Sequence, residues 1–521
     1  MPPKTSLKLG FGVARSVASV FLQQGSVYVV SLVTFSLLAR FLGTEGMGLY
    51  AVLLIATNIV SNAGNLGLKK VMVRLVSAYH VSEDIDNMRK VYWTSLALGF
   101  LSIALFSVIT VYILAYFHLF DISNPQLDPW LLLLVLLIVS IRFHAGGGLE
   151  GLKKFEILSV YVTGAFTISR IIAIILAPWM GVTGVLYGWL IGEGLGLILV
   201  LAEIAKAFGR PVFGYSVSSL QRQGLPLFVA DFANVSLEWG DRVVVAIYSL
   251  SWIGLFHVAA SGATFISTAS MAVYMGVLPH LSEAFHSGGA EELVRKVKEL
   301  GRYVILFTAP LGIGGAVLGY PLIYLFTGPN FLEAVPIFMV MSIGIWVTAL
   351  STLLQSGMIA AGLNKEIMYS TIVGTVVDIL IFVGFVGSYG LLSAGFARAF
   401  LYIVSFAFYI YFMYTRNGLE VDWGAIWKAY LSSFIMGVVV YALWLYLKEV
   451  LYLPLYVIAG VVVYILMLRV LRVAEVDELA MLHNSIPEKF RWGVKVICMV
   501  AGVRYEVVEK RAIELMRSEE G

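Results

Sequence analysis

The chain has 521 residues, of which 60% are hydrophobic and only 13% charged, too little polar surface for a soluble protein of this length. A net charge of +3, placed as Lys and Arg between apolar runs, speaks for membrane topology and against a nucleic-acid partner. The one cysteine, Cys498, excludes an intrachain disulfide and any cysteine-based metal cluster.

Apolar runs of about 20 residues, the length that carries a helix across ~30 Å of hydrocarbon, recur from the N-terminus to about residue 470. They number about fourteen: 12–39, 47–67, 92–117, 130–146, 157–178, 182–205, 226–248, 252–279, 303–326, 336–361, 367–388, 391–414, 426–447 and 454–470. The expected fold class is therefore all-α, a polytopic membrane protein. The first run follows Lys4, Lys8 and Arg15 and continues far beyond a signal-peptide core, so it is expected to remain as an uncleaved span.

With the N-terminus inside, successive inner loops hold Lys69, Lys70, Arg74, Arg89 and Lys90, then Arg142, Lys153 and Lys154, then Lys206, Arg210 and Arg222. Arg295, Lys296, Lys298 and Arg302 follow, then Lys365, Arg416, Arg469 and Arg472, whereas the alternate loops offer little beyond Arg40 and Lys448. That asymmetry predicts an even number of spans in the cell membrane, with both termini cytoplasmic.

The sequence also repeats. GLYAV at Gly48 matches GLFHV at Gly254, 206 residues later, and EGLKKFEILSVYVTG matches AGLNKEIMYSTIVG with Gly151 on Gly362 and Gly164 on Gly374. GVTGVLYG at Gly181 resembles GLLSAGFA at Gly390, 209 residues on. Six spans fit within this offset, and an even number per repeat makes the halves parallel, with a site expected at their interface near the midplane. The expected domains are an N-lobe at 1–205, a C-lobe at 206–414, a final helix pair at 415–470 and a cytoplasmic tail at 471–521. Between the first two spans, LLARFLGTEGMGLY is a helix-turn-helix connector whose Gly43, Gly46 and Gly48 permit a tight turn and close helix approach.

Charges inside the spans need a partner or water, because a charge at mid-bilayer costs roughly 2.5 to 3.5 kcal/mol. Span seven, PLFVADFANVSLEWGDRVVVAIYS, aligns Asp231, Glu238 and Arg242 within about 20° of one line, with Asn234 and Asp241 to one side. Glu238 and Arg242 also stand at i, i+4, where they could simply neutralise each other, whereas Asp231 has no such neighbour. Span five aligns Ser159, Thr163, Thr167 and Arg170, and span one aligns Arg15, Ser19, Gln23 and Ser26. Glu193, Asp378 and Arg398 are interior to spans six, eleven and twelve.

At this point LARFLGTEGMGLYAV resembles the first outer-turn signature of the polysaccharide transporter family, in the superfamily that also holds multidrug extruders and lipid II flippases. LEGLKKFEILS, AAGLNKEIMYS and the GVTGV turn are similar to that family's pattern as well. The resemblance implies two six-helix lobes around a central cavity, and a flippase for a prenyl-linked oligosaccharide that works by alternating access. Two departures stand out: the second span lacks the arginine of the lipid II branch, and span one carries Gln23 and Gln24 where a multidrug extruder has a coupling carboxylate.

A diphosphate headgroup needs forked cationic donors, so Arg170 and Arg242, with Arg15 and Arg398, are expected to meet the phosphates. Gln23, Asn234 and Glu238 are expected to meet sugars, while Asp231, Asp241, Asp378 and Glu193 are cavity charges or sites for a coupling ion, Na+ or H+. The substrate and the bilayer are the expected partners, glycosyltransferases on the basic inner loops a further one; no cofactor or metal site is expected. Two alternatives stay open: a cation-coupled drug extruder, and a membrane-embedded glycosyltransferase or polymerase. The outer loop HLFDISNPQLDP is too short to house the active-site domain that an enzyme would require.

Overall fold

The computed structural model describes residues 4–117, 128–419, 423–471 and 503–519, with residues 480, 483, 494, 495 and 498 of the tail. Most of the outer loop and most of the tail patch RWGVKVICMVAG lie outside them. The described residues are helical almost throughout: α1 Lys4–Asn58, α2 Leu68–Val81, α3 Ile85–Tyr116, α4 Pro129–Gly151, α5 Phe155–Phe208, α6 Val217–Tyr248 and α7 Leu250–Val317. Then come α8 Gly319–Thr327, α9 Val335–Ile343, α10 Ile345–Ala360, α11 Asn364–Tyr389, α12 Leu392–Asn417, α13 Trp423–Leu447, α14 Leu453–Val470 and α15 Tyr505–Glu519.

Among the described residues, ten helices are long and apolar enough to cross a membrane, or eleven if the bent pair α9–α10 is one span. That number is consistent with fourteen spans, because α1 and α5 are doubled helices counted once each and α6 falls outside the apolar set, whereas the two arms of α7 are already counted separately. α1, α5 and α7 each run through one glycine with positive φ, at Gly43, Gly181 and Gly289, where the chain turns without leaving helix on either side. Gly181 and Gly390, paired by the sequence repeat, adopt nearly the same backbone angles (φ 57, ψ −136 and φ 53, ψ −137), so the repeat is written into the turns. α6, which includes the expected span seven, falls outside the apolar set, and its sequence carries Arg222 as well as the four charges of that span. α2 is an addition, a short helix joining two spans on the side that the charge pattern assigns to the inside.

The chain packs into two compact units, Met1–His257 with Phe326–Phe331, and Val258–Leu325 with Leu332–Gly521. The sequence repeat divides at 205–206 while packing divides at 257–258, because α6 is held by α1 and α2 of the first unit. In that unit Met72, Val76, Val91, Tyr92, Ala145, Leu149, Ile204 and Phe208 form a buried cluster between α2, α3, α4 and α5, with Tyr92 stacked on Phe208 at 4.1 Å. In the second unit Val297, Ile305, Leu354, Met358, Tyr409 and Met413 pack together, and Tyr464 of α14 donates to the Leu306 carbonyl at 2.7 Å. The tail has its own small cluster, Ala480, Val494, Cys498, Val508 and Ala512, beside a His483–Tyr505 hydrogen bond of 2.9 Å.

Candidate functional site

The two arms of α5 fold back at Gly181 and touch along small residues. Gly184, Gly188, Gly192 and Gly196 recur every fourth position, and a Cβ on Gly188 would lie 2.6 Å from the Ala173 nitrogen, one on Gly192 2.4 Å from the Ser169 nitrogen. Lipid is as apolar as leucine, so burial alone does not draw these arms together; the absent side chains let the backbones close and gain dispersion. The consequence is local: Trp189, on the glycine arm, is brought against Arg170, which follows Ser169 on the other.

Arg170 sits in an aromatic cradle. Its guanidinium carbon lies 4.7 Å from the ring centres of both Phe166 and Trp189 and 6.0 Å from that of Tyr50. No carboxylate pairs with it among the described residues, and its buried Nη1 has no hydrogen-bond acceptor there; neither has the buried Trp189 Nε1. Cation–π contacts are worth about 0.5 to 2 kcal/mol each, so three of them offset most of the roughly 2.5 to 3.5 kcal/mol cost of the charge in the membrane. The aromatic rings hold the cation in place without neutralising it. Tyr50 also meets Trp189 edge-on at 6.0 Å and His257 at 6.2 Å, and His257 meets Phe35 at 5.7 Å.

Arg142, one span away, is the opposite case. Counted in the sequence as an inner-loop charge, it lies within α4 and donates its Nε to Glu193 Oε2 at 2.5 Å, both side chains nearly buried. Glu193, expected as a cavity charge, is thus neutralised inside the first unit. Lys69 follows the same rule: its Nζ pairs with Glu150 at 2.8 Å and covers the Phe143 ring at 3.6 Å. Burial is the largest influence on this ammonium and pushes its pKa down despite Glu150.

On α6, Asp231 is paired by Lys70 of α2. Arg242 is buried, donating Nη1 to the Glu238 carbonyl at 2.6 Å and its backbone N–H to Asp241 Oδ1 at 2.7 Å, with its guanidinium 4.6 Å from the Trp239 ring. The Glu238 side chain is exposed. In the second unit Asp378 of α11 and Arg398 of α12 are both buried, Arg398 5.9 Å from the Tyr402 ring. Arg15 and Gln23 fall on α1 and Asn234 on α6; their side chains lie outside the described residues. The sequence reading missed Tyr50, Trp189 and His257 around Arg170. The four-residue glycine spacing was the available signal, since it dictates which residues of α5 face each other.

Glycine-packed, doubled spans around a half-buried cation define a multi-pass helical membrane protein with the fold of the MOP-superfamily structures. The lipid II flippase MurJ, in an inward-closed conformation, matches with a TM-score of 0.63 at 16% identity over 86% of this chain and 97% of that one. A multidrug resistance MATE family transporter of the MOP superfamily, in an inward-facing conformation, matches with a TM-score of 0.56 at 15% identity over 75% and 94%. No curated protein matches the sequence. The family model described as polysaccharide biosynthesis protein matches residues 37–336, more than half of the chain, and the chain belongs to that family.

Proposed function

We propose that the protein is a flippase that carries a prenyl-(pyro)phosphate-linked oligosaccharide from the inner to the outer leaflet of the cell membrane, for surface polysaccharide or glycan assembly. The observation that carries this reading is Arg170, a cation kept within apolar spans by aromatic rings and left without a carboxylate among the described residues. An extruder of organic cations gains nothing from such a charge. A lipid pyrophosphate needs it, because its two phosphates must leave the headgroup region, and Arg offers forked, charge-assisted donors.

Family membership and the fold shared with MurJ support the same reading. The two six-span halves, 1–205 and 206–414, rock between inward-open and outward-open states, with 415–470 as an added helix pair and both termini in the cytoplasm. Arg242 and Arg398, with Arg15, complete the phosphate contacts; Gln23, Asn234 and Glu238 meet sugars. The protein carries no catalytic site of its own, and glycosyltransferases that make the substrate dock on the basic inner loops.

The test is flipping of a fluorescent prenyl-pyrophosphate oligosaccharide in proteoliposomes, with Arg170→Ala and a cationic dye as comparisons. Translocation by the wild type, lost in a normally inserted Arg170→Ala protein and indifferent to the dye, is the expected result. Dye pumping without lipid flipping would move the protein to the multidrug reading.

A further inference from the structure

The Tyr50 ring has a second neighbour that the phosphate contacts do not use. His257, on α7, is buried, stands edge-on to Tyr50 and Phe35, and its buried Nδ1 has no hydrogen-bond partner among the described residues. An imidazole that only filled space in an apolar span would be better replaced by a phenyl ring, which leaves no buried nitrogen unsatisfied.

The groups that face His257 explain what the nitrogen is for. From α6 it feels the charge of Arg242; from the second arm of α1 it meets the Tyr50 phenol ring; through that ring it reaches Arg170 on α5. The first arm of α1 contributes Phe35, which carries no charge. A proton on His257 in the empty protein would add a second positive charge to the aromatic cluster that holds Arg170, with the charge of Arg242 also acting on it. A pyrophosphate diester at Arg170 brings two negative charges and removes that obstacle.

We infer that His257 takes up a proton when an anionic headgroup binds at Arg170 and gives it back on release, so that each headgroup crosses with one proton. The inference rests on the flippase reading above. The proton comes from water on the loading side and returns to water on the other; no bond within the substrate is made or broken. By linkage the effect is reciprocal: if the anion favours the proton, the proton favours the anion to the same degree.

The experiment is titration calorimetry of the full-length protein in nanodiscs with a soluble, short-chain pyrophosphate diester, whose phosphates stay ionised across the range used. Repeating it in buffers of different ionisation enthalpy counts the protons exchanged. The wild type is expected to take up close to one proton per diester on the alkaline side of the His257 transition, with affinity rising up to about tenfold per pH unit as pH falls. His257→Asn is expected to bind with no uptake and a flat pH profile. The same uptake in wild type and variant, or none in the wild type between pH 5 and 9, overturns the inference. If His257→Asn does not fold, the wild-type count against pH decides alone: a single histidine-like midpoint supports the inference, and no uptake overturns it. Failure of the wild type to bind the diester at all would instead sink the anion-binding reading of Arg170, and the proton linkage with it.

Discussion

The seam between the first two spans and the α6–α7 region has two ends, built from different chemistry. At the end that the charge pattern places outside, two turns related by the sequence repeat meet through glycine. A Cβ on Gly48 would lie 1.9 Å from the Leu250 carbonyl oxygen, and one on Gly254 2.0 Å from the Thr44 carbonyl oxygen. Thr44 and Leu250 are themselves one repeat apart, so the contact is reciprocal, as in a two-fold interface. At the inner end α2 meets α6 and the segment leading into it through polar groups: Lys70 with Asp231, Arg74 with Gln223, and Tyr79 with Tyr215 at 3.3 Å. The outer end is closed by shape and the inner end by polarity, so bulk should open the first and charge or pH the second.

The largest effect is expected from bulk at the outer end. Gly48→Val and Gly254→Val each drive a side chain into a carbonyl group, and the cost should reach about 3 kcal/mol or more, the upper part of the overpacking range. In a Cys498→Ser background, a cysteine placed at Ile253, fully buried in the native protein, should react with an impermeant maleimide in either variant and not otherwise. Because both glycines serve one contact, the double substitution should cost less than the sum. Unchanged melting and labelling in both variants would show that the outer end is not closed by this contact.

Charge at the inner end comes next. The Lys70 side chain is about half exposed, so its pair with Asp231 belongs with surface pairs of about 0.2 to 1 kcal/mol. Lys70→Glu should lower stability by about 1 kcal/mol through repulsion, and the swap Lys70→Glu with Asp231→Lys should restore it, as thermal melting in detergent would show. Raising salt from about 0.05 to 0.5 M should narrow the gap between Lys70→Glu and wild type by a few tenths of a kcal/mol and leave the glycine variants unaffected.

How far this was legible in the sequence depends on the range of each interaction. Span positions followed from local hydropathy, and Gly43 and Gly181 as turns followed from composition. The repeat that pairs Gly48 with Gly254 was also visible, since each match is a short run of neighbours along the chain. That these two glycines touch was not visible, because equivalence in a repeat says nothing about contact. For the same reason Arg142 was counted as a loop charge and Glu193 as a cavity charge, when each neutralises the other from a different helix. Arg170 was picked out because a charge in an apolar span is conspicuous by itself. Its cradle was missed because Tyr50, Phe166 and Trp189 look like ordinary membrane aromatics until the glycine packing of α5 brings them together.

The smallest effect should come from pH at the inner end. The Tyr79 phenol is pushed up to about 12, first by its hydrogen bond with Tyr215, then by burial and the nearby Asp84 charge. The folded protein therefore holds this proton more tightly than the unfolded chain, whose phenol titrates near 10. The contribution to stability is complete below pH about 10 and is lost as pH rises through about 12. The difference in tyrosinate absorbance between wild type and Tyr79→Phe isolates this group. Tyr215→Phe should leave Tyr79 without a titratable partner and bring its midpoint down toward 10. A midpoint that stays near 12 in Tyr215→Phe would mean that burial, not the contact between α2 and the segment leading into α6, holds the phenol, and the inner end would then rest on its charge pairs alone.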